Sequence, residues 1–320
     1  MYGDLQATTA PDGRTQARIG LETAALWDVT AGRPPKRLAD LPASADTWPG
    51  IDLDASGMSR FDPTSRYLVA PAANVDRNGQ VREYMQVWDI KDRTRPRRLG
   101  SPLPGRPAVS AMSADGNLFA IDMVDDELTD GATSVALYDF RSKVYPRRLA
   151  RISSTGGSDF QSVAFAPSQP VLAVADGTDT RLYDVSDPAR PVRLAKTLVG
   201  SGGLVTFSHD GTMLAAADLD GRLSVWDMAD PLDPRQLGQF VAAFPSEQVS
   251  AIAFAPDDRT VWVGGSPTGA DRVVKGWGLD RVRRMQVDAP AMACRDTDAG
   301  VEPEVWQRYG GGSAYPRVCP

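Results

Sequence analysis

The sequence predicts an all-β protein in which one four-stranded unit recurs about six times, followed by a short helical C-terminal segment. Three observations carry this. A hairpin-like element recurs six times, an aromatic-Asp element follows each copy, and a Pro-Arg-Leu element follows that. The composition agrees: 42% hydrophobic and 24% charged residues suit a globular chain with a continuous core, and 29 glycines and 25 prolines spread along it imply many turns between short strands.

The first element reads "TTAPDGRTQA", "SRFDPTSRYLVA", "SAMSADGNLFA", "SVAFAPSQPVLA", "VTFSHDGTMLA" and "AIAFAPDDRTVWV". Apolar alternation on both sides of a Pro, Asp or Gly turn is the pattern of two strands in a hairpin. The second element places Trp27, Trp88, Tyr138, Tyr183, Trp226 and Trp277 before Asp28, Asp89, Asp139, Asp184, Asp227 and Gly278. The third is "PPKRL", "RPRRL", "YPRRL", "RPVRL" and "DPRQL", with a degenerate "VRRMQV" in the sixth copy. From Asp28 to position 278 the second elements step by 61, 50, 45, 43 and 51 residues, a length that fits a four-stranded propeller blade.

These turns and the "WDV", "WDI" and "WDM" strands resemble WD-repeat β-propellers, and the Pro-Arg-Leu element resembles those of actinobacterial proteins. The resemblance covers about residues 5–288. It implies one propeller domain over 1–288, of six blades, or seven if an upstream blade joins the ring, and a tail domain over 289–320. That family often carries a Gly-His pair ahead of each blade, whose His bonds a turn Asp and the Trp. The single histidine here, His209, lies in a hairpin turn instead, so blade stability is expected to rest on aromatic and aliphatic burial.

The aromatic-Asp pairs read as structural: the aromatic packs between blades and the Asp satisfies backbone donors where the strand ends. The basic clusters Arg93–Arg98, Arg147–Arg151 and Arg281–Arg284 read as solvated outer edges, where Arg and Pro discourage further strand pairing. Two insertions, "NVDRNGQVREY" and "DMVDDELTDGATS", lengthen the second and third units, and long loops on a rigid scaffold are natural places for recognition.

Several chemistries find weak support. "DLDASG" at Asp52 begins like a calcium loop but has Pro63 where the bidentate acid belongs. A Ser-His-acid triad would have to use His209 and has no nucleophile elbow. One His and two distant Cys do not make a zinc site, and "GSGG" at Gly200 lacks the Lys of a phosphate loop. A metal-assisted enzyme using channel carboxylates, with Asp122, Asp125, Asp218 and Asp220 as candidates, is the alternative to a binding protein.

The tail "ACRDTDAGVEPEVWQRYGGGSAYPRVCP" holds both cysteines. Pro303, Glu302 and Glu304 in a first turn and Gly310 after the last predict a short helix with Val305, Trp306 and Tyr309 on one face. This closing segment resembles that of actinobacterial WD-repeat proteins, some of them parts of signalling chains with STAND-type NTPase modules. Cys294 and Cys319 are candidates for a disulfide: pairing would favour an oxidising compartment, and free thiols would favour the cytoplasm. No leader or membrane span is legible, so the chain as written reads as cytoplasmic, the alternative being the extracytoplasmic propeller of a longer membrane protein. A net charge of −6 disfavours general nucleic-acid binding. The expected function is a non-catalytic, cofactor-free scaffold or sensor in a bacterial signalling system. It would bind other proteins, insert into no membrane, and be monomeric as an isolated domain.

Overall fold

In the computed structural model the described residues are 6–19, 24–41, 59–75, 81–104, 106–124, 133–153, 160–218, 221–240, 249–265, 273–280 and 282–283. They form a β-propeller of six blades, each an antiparallel sheet contiguous in sequence. Blade 1 comprises β1 (Gln6–Thr9), β2 (Thr15–Ile19), β3 (Ala24–Asp28) and β4 (Lys36–Asp40). Blade 2 comprises β5 (Arg60–Phe61), β6 (Tyr67–Val75), β7 (Val81–Asp89) and β8 (Arg97–Pro104). Blade 3 has β9 (Arg106–Met112), β10 (Leu118–Val124), β11 (Thr133–Asp139) and β12 (Arg147–Ser153). Blade 4 has β13 (Ser162–Phe165), β14 (Val171–Ala175), β15 (Thr180–Asp184) and β16 (Val192–Leu198). Blade 5 has β17 (Leu204–Phe207), β18 (Met213–Ala217), β19 (Leu223–Asp227) and β20 (Arg235–Phe240). Blade 6 shows three strands among the described residues: β21 (Val249–Phe254), β22 (Thr260–Gly265) and β23 (Val273–Gly278).

The two middle strands of each blade set its two faces, because successive side chains alternate. Facing the preceding blade are the aromatic of the third strand and its partner on the second: Leu68 with Trp88, Phe119 with Tyr138, Leu172 with Tyr183, Leu214 with Trp226, and Val261 with Trp277. Facing the following blade are Ala17 with Leu26, Val69 with Val87, Ala120 with Leu137, Ala173 with Leu182, and Ala215 with Val225. These ten residues of blades 1 to 5 are fully buried. Large leading residues thus press on smaller trailing ones, and five apolar clusters join blades 1/2, 2/3, 3/4, 4/5 and 5/6. Each buried Leu or Phe removed from water contributes about 1.5–3 kcal/mol.

The fourth strands are the exposed outer edges, and the basic pair of the third element has a definite register there. Its first residue stands opposite the Asp and its second opposite the aromatic: Arg97 with Asp89 and Arg98 with Trp88, Arg147 with Asp139 and Arg148 with Tyr138. In blade 2, Arg97 comes within 3.6 Å of Asp89 and the Arg98 guanidinium lies 5.2 Å from the Trp88 ring centre. A register shift follows beside the aromatic in four of the five outer pairs, and one residue further on, between Met85 and Val87, in blade 2, as in a β-bulge.

Two expectations change. The "VRRMQV" segment does not open with an edge strand: the chain turns helically after Leu279, where the Arg283 N–H donates to the Leu279 carbonyl at 2.8 Å. Leu279 and Val282 point into the 5/6 cluster, and burial of these two side chains drives the turn. The absent Gly-His network also has a replacement in blade 5. The Trp226 Nε1–H reaches the hydroxyls of Ser201 and Ser224, each at 3.2 Å, and the two hydroxyls are 3.0 Å apart. The "GSGG" glycines make this possible, since a Cβ on Gly202 or Gly203 would collide with the backbone of Thr178 or Ala217. A buried indole N–H needs an acceptor, and serine supplies it where histidine does not. The tail domain 289–320, with Cys294 and Cys319, lies outside the described residues, as does "DLDASG".

Candidate functional site

The repeated Asp residues each close a turn. The carboxylates of Asp28, Asp89, Asp139, Asp184 and Asp227 accept the backbone N–H two residues on, at 2.9, 2.9, 3.1, 2.8 and 3.0 Å. Asp139 also holds Arg141, and that side-chain hydrogen bond keeps its carboxyl down at about 2. Of the aromatics before them and before Gly278, Trp88, Tyr138 and Trp226 are buried, while Trp27, Tyr183 and Trp277 are half-buried. Both members of each pair therefore serve the blade.

Neighbouring blades are clamped through their first hairpin turns. In blades 2 and 6 the fourth turn residue is Ser65 or Asp258, at φ 57 and 54, where blades 1, 3 and 5 carry Gly13, Gly116 and Gly211. Both side chains reach back to the previous turn: Ser65 accepts the Asp12 N–H at 3.0 Å, and Asp258 accepts the N–H groups of His209 and Asp210 at 2.9 and 3.1 Å. His209 Nδ1 is 2.7 Å from the same carboxylate. In blades 3 and 5 the previous turn lies too close for a side chain, and the position is glycine. A Cβ on Gly116 would stand 2.9 Å from Pro63, and one on Gly211 would stand 2.3 Å from the Ser168 hydroxyl and 3.3 Å from Pro167. Ionic links complete the clamps: Arg93 with Asp12, and Arg283 with Asp210 at 2.9 Å. Burial alone would raise the Asp210 carboxyl. Hydrogen bonds from Ser208, Thr212 and Arg283 outweigh it and hold the group well below the usual carboxylate range. The sequence signal for these clamps was visible, in "DPTS" and "PDD" departing from "PDG", but only the structure shows that they cross between blades.

With the charged groups so committed, exposed apolar side chains stand out on the connections between third and fourth strands. Blade 3 presents Tyr145 at 79% exposure beside Val144, blade 4 presents Val192 at the start of β16, and blade 5 presents Leu232 at 65%. Three consecutive blades thus expose an apolar side chain within three residues of the start of the fourth strand, an apolar arc of the rim. The connections of blades 1 and 2 carry Arg33, Arg93 and Arg95, and those of blades 3 and 4 carry Arg141 and Arg190 beside their apolar residues. The arc is held firmly. Lys143 donates to the carbonyls of Gly116 and Phe140 at 2.6 and 2.8 Å, and burial pulls its ammonium below the ordinary lysine value. Asp230 accepts the Leu232 N–H at 2.9 Å, and Lys196 of blade 4 reaches Asp233 at 2.7 Å.

The first insertion lengthens the hairpin of β6 and β7, paired as far as Val75 with Val81, and its tip lies outside the described residues. So does most of the second, with Asp125, and so does Asp220. Asp122 is buried in β10, whereas Asp218 closes a turn by accepting the Arg222 N–H at 2.7 Å. Among the described residues no three metal-ligating side chains gather. No described helix is long and apolar enough to cross a membrane.

The family model for the WD40 repeat (WD domain, G-beta repeat) matches residues 196–227, which take in the Ser201 to Trp226 network and the first three strands of blade 5. No curated protein matches the chain. Among solved structures, a functionally unknown protein from Desulfotomaculum acetoxidans DSM 771 superposes with a TM-score of 0.65 at 14% identity, over 87% of this chain and 84% of that one. At that identity the likeness concerns the fold.

Proposed function

We propose that this chain is a non-catalytic protein-interaction platform, a propeller module serving a bacterial signalling or regulatory system. The observation that carries the reading is the apolar arc: Tyr145, Val192 and Leu232 exposed at or just before the fourth strands of adjacent blades. Large exposed side chains on rigid supports bind partners with little ordering cost, and tyrosine is prominent among interface hot spots. The match of one blade to the WD40 repeat supports the same reading, since propellers of that kind commonly assemble other proteins. The test pairs affinity capture from the native lysate with assay of the purified chain against a metabolite panel. The reading expects a stoichiometric partner that is lost on Tyr145→Ala/Leu232→Ala while the circular dichroism is unchanged. Turnover of a defined metabolite, with capture indifferent to the arc, would overturn it.

A further inference from the structure

The rim that carries the apolar arc is unevenly charged. From the Asp that ends the third strand to the end of the fourth, blade 2 (89–104) holds five cations and two acids, and blade 3 (139–153) holds five cations and one acid. The same stretch has three cations and two acids in blades 1 and 4, and one cation and three acids in blade 5. A chain of net charge −6 therefore gathers positive charge on two adjacent blades.

Part of that charge is engaged within the fold. Arg93 pairs with Asp12, Arg97 comes within 3.6 Å of Asp89, and Arg141 pairs with Asp139. Arg95 and Arg148 are exposed, and among the described residues no acid lies within ion-pair distance of either. The basic stretch and the apolar arc meet at Tyr145. The connection that presents this ring is packed on the outer strand of blade 2, since a Cβ on Gly100 of β8, at φ 60, would collide with the Val144 carbonyl. Gly100 lies two residues past Arg98, and Tyr145 two residues before Arg147. Tyr145 thus sits on the rim between the basic pairs of β8 and β12, and beyond β12 the arc continues to Val192 and Leu232.

A surface that runs from cationic to apolar is complementary to a ligand that runs from acidic to apolar. Guanidinium groups bind carboxylates through two parallel N–H···O bonds, and the exposed heads of Arg95 and Arg148 retain that capacity. Exposed charges are screened beyond about 8 Å at physiological ionic strength. A short segment therefore meets this basic stretch alone, whereas an extended polyanion also meets the excess acids of the rest of the chain. We propose, on the platform reading above, that the partner presents a peptide segment in which carboxylates adjoin large apolar side chains. Its acids face the arginines of blades 2 and 3 around Tyr145, and its apolar side chains run along the arc towards Val192 and Leu232.

The test pans a random dodecapeptide library on the full chain. The selected peptides are then measured by fluorescence polarisation against the wild type, Arg95→Glu/Arg148→Glu and Tyr145→Ala/Leu232→Ala, with circular dichroism as the check on folding. The expected pool joins Asp or Glu to Leu, Phe or Trp, binds less tightly as salt rises, and loses about tenfold in affinity or more in each double variant. Neutral or basic peptides lost only in Tyr145→Ala/Leu232→Ala would overturn this inference and leave the platform reading standing. A pool indifferent to both double variants would overturn the inference and count against that reading too. Sedimentation with phosphatidylserine vesicles, or retention on DNA, that Arg95→Glu/Arg148→Glu abolishes while no acidic peptide is selected would also overturn it, assigning the basic stretch to a phosphate-bearing polyanion.

Discussion

Leu214 and Gln16 hold the same place in the repeat, opposite the aromatic of the third strand, and their surroundings have nothing in common. Leu214 is fully buried between blades 4 and 5, with Trp226 beside it and Leu182 among its cluster. Gln16 is half-buried, donates to Thr9 at 3.2 Å and accepts from Arg18 at 2.7 Å. A shared backbone plan thus carries two kinds of blade face. The apolar kind builds seams between blades, and the polar kind ends the series.

The largest expected effect comes from breaking an apolar seam. Phe119→Ala removes a fully buried ring that stacks on Phe140 at 5.4 Å between centres, and is expected to cost about 3–5 kcal/mol in urea denaturation. Breaking a polar clamp comes next. Asp258→Ala strips two backbone N–H groups and His209 of their acceptor, and about 2 kcal/mol should be lost in the same assay. Ser201→Ala leaves Trp226 Nε1 one acceptor, Ser224, so about 1 kcal/mol is expected, with a shift in tryptophan emission as a second readout.

Acid should act through the turns rather than the cores. Asp12 and Asp210 have folded-state pKa values below the ordinary one. For Asp12, burial is outweighed by the N–H groups of Arg14 and Thr15 and by Arg93. A depressed carboxyl contributes stability that is complete above about pH 4 and drains away as pH falls through the folded value. Asp12→Asn and Asp210→Asn should therefore flatten the acid limb of a melting-temperature profile and leave its neutral plateau lower. An unchanged acid limb would remove these clamps from the account.

Much of this was legible because strand period and turn chemistry are local. The six hairpins, the aromatic-Asp strands and the outer basic pairs all follow from short stretches of sequence. What was hidden depends on neighbours. Asp258 in "APDD" reads as a turn residue until the blade 5 turn is placed against it, and Ser201 reads as part of a glycine loop until Trp226 closes over it. The sixth copy misled for a similar reason: "VRRMQV" has the composition of an edge element, yet Leu279 and Val282 gain more by burial in the 5/6 cluster. The rim arc could not be read at all, since Tyr145, Val192 and Leu232 are far apart in sequence and related only by the ring.

The most direct test of the contrast is the reciprocal exchange of Leu214→Gln and Gln16→Leu, with both variants unfolded in urea beside the wild type. Leu214→Gln should lose at least about 3 kcal/mol, through lost burial and a stranded amide, and Gln16→Leu should stay within about 0.5 kcal/mol of wild type. Equal costs at the two positions, or a Leu214→Gln variant as stable as wild type, would contradict the division of the ring into apolar seams and one polar end.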